Sequence, residues 1–216
     1  MTYNWQDHWK RNEIAFHLNA THPLLEKYWP LLKVATNVNV LVPLCGKTVD
    51  MLWLANQGYH VIGVELSEIA CEAFFVENKL SFSKTKKNEF VCYCNDQIKL
   101  YCGDFFALST EVIPEVTAVY DRAALIALPE ELRQRYVSHM TKLMGANSKM
   151  LLITYDSPDI VQGPPYSVSS HEVNHLFSPD FKINELARIQ ENVFSNHLRK
   201  KGYKVLNEVV YQLEKM

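Results

Sequence analysis

Two features of the sequence join residue types to a spacing that chemistry can use. The first is Pro43-Leu44-Cys45-Gly46-Lys47-Thr48, which directly follows the apolar run Val38–Val42. A glycine there lets a ligand come close to main-chain N–H groups, although a plain strand-to-helix turn asks for the same residue. The second is Glu65, at the end of the apolar run Val61–Val64. It follows Gly46 by about 20 residues, the separation at which a doubly wound α/β fold grips ribose hydroxyls with an acid. A carboxylate can accept two hydrogen bonds from a vicinal diol. The competing role for Glu65 is an acid that complements the dipole of the helix after it.

Gly46-Lys47-Thr48 invites comparison with a phosphate-binding loop. That motif requires a further glycine where Leu41 stands, and G-x-G-x-x-G is absent as well. A ribose grip without a pyrophosphate cradle points to an adenosine cofactor that lacks phosphates. S-adenosyl-L-methionine meets that description, with its methionine carboxylate on N–H groups near Leu44–Lys47. Further along, Cys102-Gly103-Asp104-Phe105-Phe106 closes another candidate strand. Asp104 and Phe105 are candidates to bond and cover an adenine, and Phe106 is expected in the core. Tyr120-Asp121-Arg122 ends a fourth strand, where the reacting end of a cofactor lies. Asp121 and Arg122 are either functional there or simply paired with each other.

Trp5 and Trp9 share one helix face, and Phe16 follows them. The segment is either a docking face or a lid over the cofactor. His171-Glu172-Val173-Asn174-His175 matches the zinc pattern H-E-x-x-H. Ser169-Ser170 before it predicts a capped helix start instead, and no third ligand is evident. Cys92-Tyr93-Cys94 is too tightly spaced for a zinc knuckle. No metal is expected.

The elements that must hold these residues follow from periodicity. Val38–Val42, Val61–Val64 and Met150–Thr154 read as buried strands, with Ile98–Cys102 and Val116–Tyr120 as weaker ones. Helical patterns occupy Thr48–Gln57, Ser67–Asn78 and Pro129–Leu143. The alternation implies βαβ units and a parallel sheet. Glu185–Val193 and Lys204–Leu213 read as a closely joined, hence antiparallel, pair. Ser83–Gln97 reads as a polar surface excursion, and Ser157–Ser170 as a long loop.

The chain has 216 residues, 48% hydrophobic and 21% charged, which suits one globular domain and excludes a largely disordered chain. Lys+Arg 22 against Asp+Glu 24 leaves no basic field for nucleic acid. An odd count of 5 cysteines argues for a reducing compartment. The N-terminus lacks the apolar core of a signal peptide, and no run reaches the ~20 apolar residues of a membrane span. A soluble cytoplasmic protein is expected.

The motifs together resemble the thiopurine S-methyltransferase family, in its bacterial form. The likeness runs from Trp5/Trp9 and Ile14-Ala15-Phe16-His17 through Pro43-Leu44-Cys45-Gly46-Lys47 and Gly63-Val64-Glu65-Leu66-Ser67-Glu68. It continues in Tyr120-Asp121-Arg122-Ala123-Ala124-Leu125, Gly163-Pro164-Pro165 and the helix from Glu172 to Phe177. It implies an α/β, Rossmann-like class I methyltransferase fold: a mostly parallel seven-stranded sheet with helices on both faces and an antiparallel C-terminal strand pair. It would form one domain over 1–216, with residues 1–30 as an N-terminal lid segment. The implied cofactor is S-adenosyl-L-methionine, held by Trp9, Leu44, Glu65, Asp104, Phe105 and Arg122. Phe16 and Arg122 would border the acceptor, and Arg122 and Asp121 are the candidate catalytic residues. The implied acceptor is a small aromatic or heterocyclic thiol, with inorganic selenium or tellurium species, or a non-catalytic adenosine-binding module, as the alternatives. A monomer without nucleic-acid or membrane partners is expected.

Overall fold

The computed structural model describes residues 4–159, 161–193 and 195–216. The chain falls into two compact units, residues 1–27 with 34–118, and 28–33 with 119–216. Among the described residues no helix is long and apolar enough to cross a membrane.

The first unit begins with α1 (Trp5–Lys10) and α2 (Pro23–Tyr28), whose last residue already counts with the second unit. Then come β1 (Asn39–Val42), α3 (Asp50–Asn56), β2 (His60–Glu65), α4 (Glu68–Glu77), β3 (Ser83–Lys87), β4 (Phe90–Cys94) and β5 (Ile98–Cys102). Its strands lie in the order β3-β4-β5-β2-β1. β1 runs parallel to β2, with Val42 opposite Gly63, and β2 runs parallel to β5, with Glu65 opposite Cys102. Val61, Ile62 and Val64 are at most 2% exposed, so this strand is covered on both faces, as its unbroken apolar run requires. Each such side chain contributes roughly 1.5–3 kcal/mol by leaving water.

The expected surface excursion at Ser83–Gln97 is instead an antiparallel hairpin, and it accounts for the two strands beyond the seven expected. Lys87 pairs with Phe90 across Asn88-Glu89, and Asn88 takes φ 54°, the left-handed conformation that tight hairpin turns use. β3 is exposed along its whole length, whereas Phe90, Cys92 and Tyr93 of β4 are buried. Lysines on an edge strand discourage pairing with another chain.

β6 (Val116–Arg122) leads into the second unit, followed by α5 (Glu130–Leu143), β7 (Met144–Asp156), α6 (Ser170–Phe177), β8 (Phe181–Asn192), α7 (Asn196–Lys200) and β9 (Val205–Lys215). The order is β6-β7-β9-β8, and β9 is antiparallel to both β7 and β8. The expected C-terminal pair is therefore present, with a bulge between Glu185 and Ala187. The short helix α7 between its strands was not expected. Described residues from 157 to 169 carry no helix or strand, as the Pro- and Ser-rich composition indicates.

Candidate active site

β1, β2 and β5 point the same way, so the turn after Val42, the residue Glu65 and the segment after Cys102 share one edge of the first unit's sheet. Ligands of open α/β sheets bind beyond such an edge. Glu65 is 7% exposed, and its carboxylate is held from two sides. Oε2 accepts the N–H of Gly46 at 2.8 Å, and Oε1 accepts the N–H of Ser67 at 2.8 Å. Ser67 Oγ in turn accepts the N–H of Ala70 and caps α4. Burial pushes the Glu65 carboxyl above its ordinary value, while the Ser67, Gly46 and Leu66 N–H groups pull it back. A carboxylate offers about four acceptor positions, so two remain for a ligand.

The turn between β1 and α3 is tightly specified. Leu44 and Gly46 both have positive φ, 46° and 54°. For a leucine this costs about 1–2 kcal/mol, strain of a kind that concentrates at ligand-binding turns. Lys47 Nζ donates to both carboxylate oxygens of Glu77 at 2.7 Å. The lysine that suggested a phosphate loop is thus a strut between this turn and α4. Gly63 leaves room beneath the turn: a Cβ there would lie 2.9 Å from Cys45 Sγ and 3.0 Å from Met51 Sδ.

α1 lies against the same turn. A Cβ on Gly46 would meet the Trp9 ring at 3.0 Å, and Trp9 is 7% exposed. Phe16 packs edge-on against both Trp9, at 5.6 Å between centroids, and Trp5, at 5.4 Å. The expected helix face and its aromatic follower are therefore one cluster on the first unit.

Asp104 is exposed, and its Oδ1 accepts the N–H of Phe106 at 2.9 Å, which starts a 3₁₀ turn. That turn reverses the expected burial of the two rings. Phe105 is 2% exposed and belongs to the core, while Phe106 is half-buried.

In the second unit, Asp121 and Arg122 end β6 and separate in role. Asp121 is fully buried. Its Oδ1 accepts the N–H groups of Ala124 (3.0 Å) and Leu125 (3.3 Å), and its Oδ2 accepts the Tyr136 hydroxyl at 2.6 Å. Burial raises its carboxyl to about 6 against these bonds. The carboxylate is spent on the turn rather than on Arg122, and the turn contains Ala123 at φ 79°. Expected as a polar group at the reacting end, Asp121 turns both carboxylate oxygens to the turn and to α5. Arg122 is half-buried.

The H-E-x-x-H segment is a capped helix, as expected: Ser169 Oγ accepts the N–H of Glu172 at 3.2 Å. His171 and His175 are exposed. The Glu172 carboxylate accepts from Arg133, 4% exposed, at 2.6 Å, and Arg133 also donates to the Leu128 carbonyl at 3.0 Å. Among the described residues no group of three or more His, Cys, Asp and Glu is placed to hold a metal. Tyr136 and Arg133 escaped the sequence reading because they lie on α5, remote in sequence from Asp121 and Glu172.

Comparison with known proteins finds the same fold. Solved structures with the same fold include a methyltransferase from Anabaena variabilis described as SAM-dependent, with a TM-score of 0.68 at 17% identity over 98% of this chain and 93% of that one. Another is the 1,6-didemethyltoxoflavin-N1-methyltransferase of Burkholderia thailandensis, solved with S-adenosylhomocysteine, with a TM-score of 0.65 at 11% identity over 97% and 84%. At these identities the likeness is one of fold. Sequence relatives are much nearer. The thiopurine S-methyltransferase of Shewanella pealeana is 44% identical over 97% of this chain and 96% of its own length. That of Pseudomonas fluorescens is 48% identical over 78% and 77%. The profile of the family described as Thiopurine S-methyltransferase (TPMT) matches residues 1–216. With the Pro43–Lys47 turn, Glu65 and the Trp9 helix gathered in one unit and the match unbroken along the sequence, the chain belongs to the thiopurine S-methyltransferase family.

Proposed function

We propose that this protein is an S-adenosyl-L-methionine-dependent methyltransferase that methylates the sulfur of aromatic or heterocyclic thiols. The observation that carries the reading is Glu65, a buried carboxylate with acceptor capacity to spare, fixed to the turn after β1 and to the start of α4. The donor set fits an adenosine ligand without phosphates, because Lys47 is committed to Glu77. Glu65 would accept the ribose hydroxyls. Of the turn's amides, Cys45 donates to Val64, Gly46 to Glu65 and Thr48 to Cys45, which leaves those of Leu44 and Lys47 for the methionine carboxylate. Trp9 would cover that end of the cofactor. Asp104 would bond the adenine, with Phe106 as the accessible ring in place of Phe105.

When bound, S-adenosyl-L-methionine supplies a methyl group on a sulfonium centre, the electrophile for a thiolate. The protein's own task is to hold the acceptor as its anion and keep water away. Arg122 serves the first purpose, since a guanidinium stabilises an adjacent thiolate and lowers its pKa. Aromatic heterocyclic thiols ionise readily, so no strong general base is required. Asp121 acts through the turn that aims Arg122, and Phe16 borders the acceptor. A monomer in the cytoplasm, with no nucleic-acid partner, suits the near-neutral charge and free thiols.

Calorimetry with S-adenosylhomocysteine, NAD and ATP tests the cofactor assignment. Binding of the first alone is expected, and NAD binding without S-adenosylhomocysteine binding would refute it. A methyl-transfer screen across thiol, selenium and tellurium acceptors tests the acceptor class. Preference for the inorganic species over every aromatic thiol would overturn that part.

A further inference from the structure

Two thiols lie against the turn that follows Glu65. Cys71, in the first part of α4, is fully buried, and its S–H donates to the Glu65 carbonyl at 4.0 Å. Cys102, the last residue of β5, is half-buried, and its S–H donates to the Leu66 carbonyl at 3.9 Å. The two sulfurs therefore address consecutive carbonyls of one turn from opposite elements. Cys102 is also the register partner of Glu65, and the next residue, Gly103, donates its N–H to the Glu65 carbonyl at 2.9 Å. Anything that joins these sulfurs pulls α4 and β5 together across the residues that aim the Glu65 carboxylate.

We propose that Cys71 and Cys102 form a reversible disulfide that lowers cofactor affinity by displacing Glu65. This rests on the reading of Glu65 as the ribose acid. The Cys102 thiol is the more acidic of the two, because its contact with the neighbouring Cys71 thiol lowers its pKa and raises that of Cys71. It is also the more accessible, and a partly exposed thiolate is the reactive form. Cys45 close by is excluded as the attacking group, since burial holds its thiol well above the ordinary range.

The oxidant is a hydroperoxide. The Cys102 thiolate attacks one peroxide oxygen, the O–O bond breaks, and hydroxide leaves and takes a proton as water. Cys102 becomes a sulfenic acid. The Cys71 sulfur then attacks the Cys102 sulfur, its proton leaves with the sulfenic oxygen as a second water, and the disulfide forms. Two thiols and one hydrogen peroxide thus yield one disulfide and two waters. A dithiol reductant reverses the change.

The test uses the full chain treated with hydrogen peroxide, followed by intact mass, peptide mapping and calorimetry with S-adenosylhomocysteine. The expected result is loss of two hydrogens, a peptide joining Cys71 to Cys102, and affinity reduced about tenfold or more, a change of ~1.4 kcal/mol. Dithiothreitol should restore it. Cys102→Ser and Cys71→Ala should each bind in the reduced state like the unmodified protein and keep that affinity after peroxide. Oxidation that links other cysteines, or none, overturns the proposal. So does a Cys71–Cys102 disulfide that leaves affinity unchanged. Failure of the reduced protein to bind S-adenosylhomocysteine would instead refute the cofactor reading itself, while the mass measurement still reports on the thiol pair.

Discussion

Glu65 Oε2 accepts the Gly46 N–H at 2.8 Å, so the end of one parallel strand holds the turn that follows its neighbour. The same carboxylate holds Ser67 through its other oxygen. A carboxylate merely at an exposed strand end would be dispensable for folding. Here Glu65→Ala strands two buried N–H groups, each worth about 1–3 kcal/mol. We therefore expect Glu65→Ala to lower both stability and affinity. Glu65→Gln, which keeps one acceptor oxygen, should lower S-adenosylhomocysteine affinity by ~1.5–3 kcal/mol with a smaller loss of stability. Calorimetry paired with urea unfolding separates the two effects. Unchanged affinity in Glu65→Gln would leave Glu65 with a structural role alone.

Gly46 is required twice over, by φ 54° and by the Trp9 ring 3.0 Å from where its Cβ would be. Gly46→Ala should lose roughly 1–2 kcal/mol of stability from the left-handed backbone. The indole must also give way, so Trp fluorescence should change together with cofactor affinity. Stability lost without a spectral change would mean that Trp9 has room to absorb the methyl group.

Asp121 gives a pH signature. Its carboxyl rises from the ordinary 3.8 to about 6 on folding, chiefly through burial. A raised carboxyl means that its stabilising share is complete below pH 3.8 and is lost as pH climbs through about 6. The difference amounts to about 3 kcal/mol at most. Asp121→Asn keeps an acceptor for the Ala124 and Leu125 N–H groups and has no charge to bury. Its stability relative to the unmodified protein should therefore rise between about pH 4 and pH 8. A flat difference in urea midpoints across that range would show that Asp121 is not buried as an ionised group.

How far the sequence could be read depended on whether a residue's partner lay near it or far away. β1, β2 and β5 were legible because unbroken runs such as Val61–Val64 have no other use than burial on both faces. Glu65 was legible because its distance from the Gly46 turn is a property of the fold. The β3–β4 hairpin was hidden by Lys84, Lys86 and Lys87, although Asn88 and the aromatics Phe90 and Tyr93 carried its turn and its buried face. Asp121 stayed open between a functional role and a pair with Arg122, because nothing local reveals that Tyr136 on α5 claims the carboxylate. Phe105 and Phe106 exchanged burial because a 3₁₀ turn follows neither strand nor α-helix periodicity.

The histidine-rich helix start separates metal chemistry from scaffolding. Glu172 is tied to the buried Arg133, an ion pair that joins α6 to α5. His171→Ala combined with His175→Ala should retain turnover, and chelators should leave activity intact. Glu172→Gln should instead destabilise the fold, by less than the ~3–5 kcal/mol of breaking a fully buried pair, because Glu172 keeps 24% exposure. Stoichiometric zinc in the purified protein, with activity lost on its removal, would reverse this assignment.

The N-terminal segment should behave as a lid. α1 is only six residues long, too short to be stable by itself, so what holds it is the Trp9 contact with the Gly46 turn and the Phe16 cluster. Residues from 11 to 22 carry no helix or strand, and most of them are exposed. Elements that cover ligands come from the least stable parts of a fold, and this one rests on a turn that the cofactor is proposed to touch. Its order should therefore depend on the ligand. Without ligand, amides of the segment should exchange fast, and proteases should cut between Lys10 and Thr21, where backbone is accessible. S-adenosylhomocysteine should slow both processes and alter Trp fluorescence. Removal of residues 1–17 should abolish methyl transfer while the remainder stays folded, because α3 and α4 also pack directly on the parallel strands. Slow exchange that is the same with and without ligand would identify the segment as a permanent docking helix.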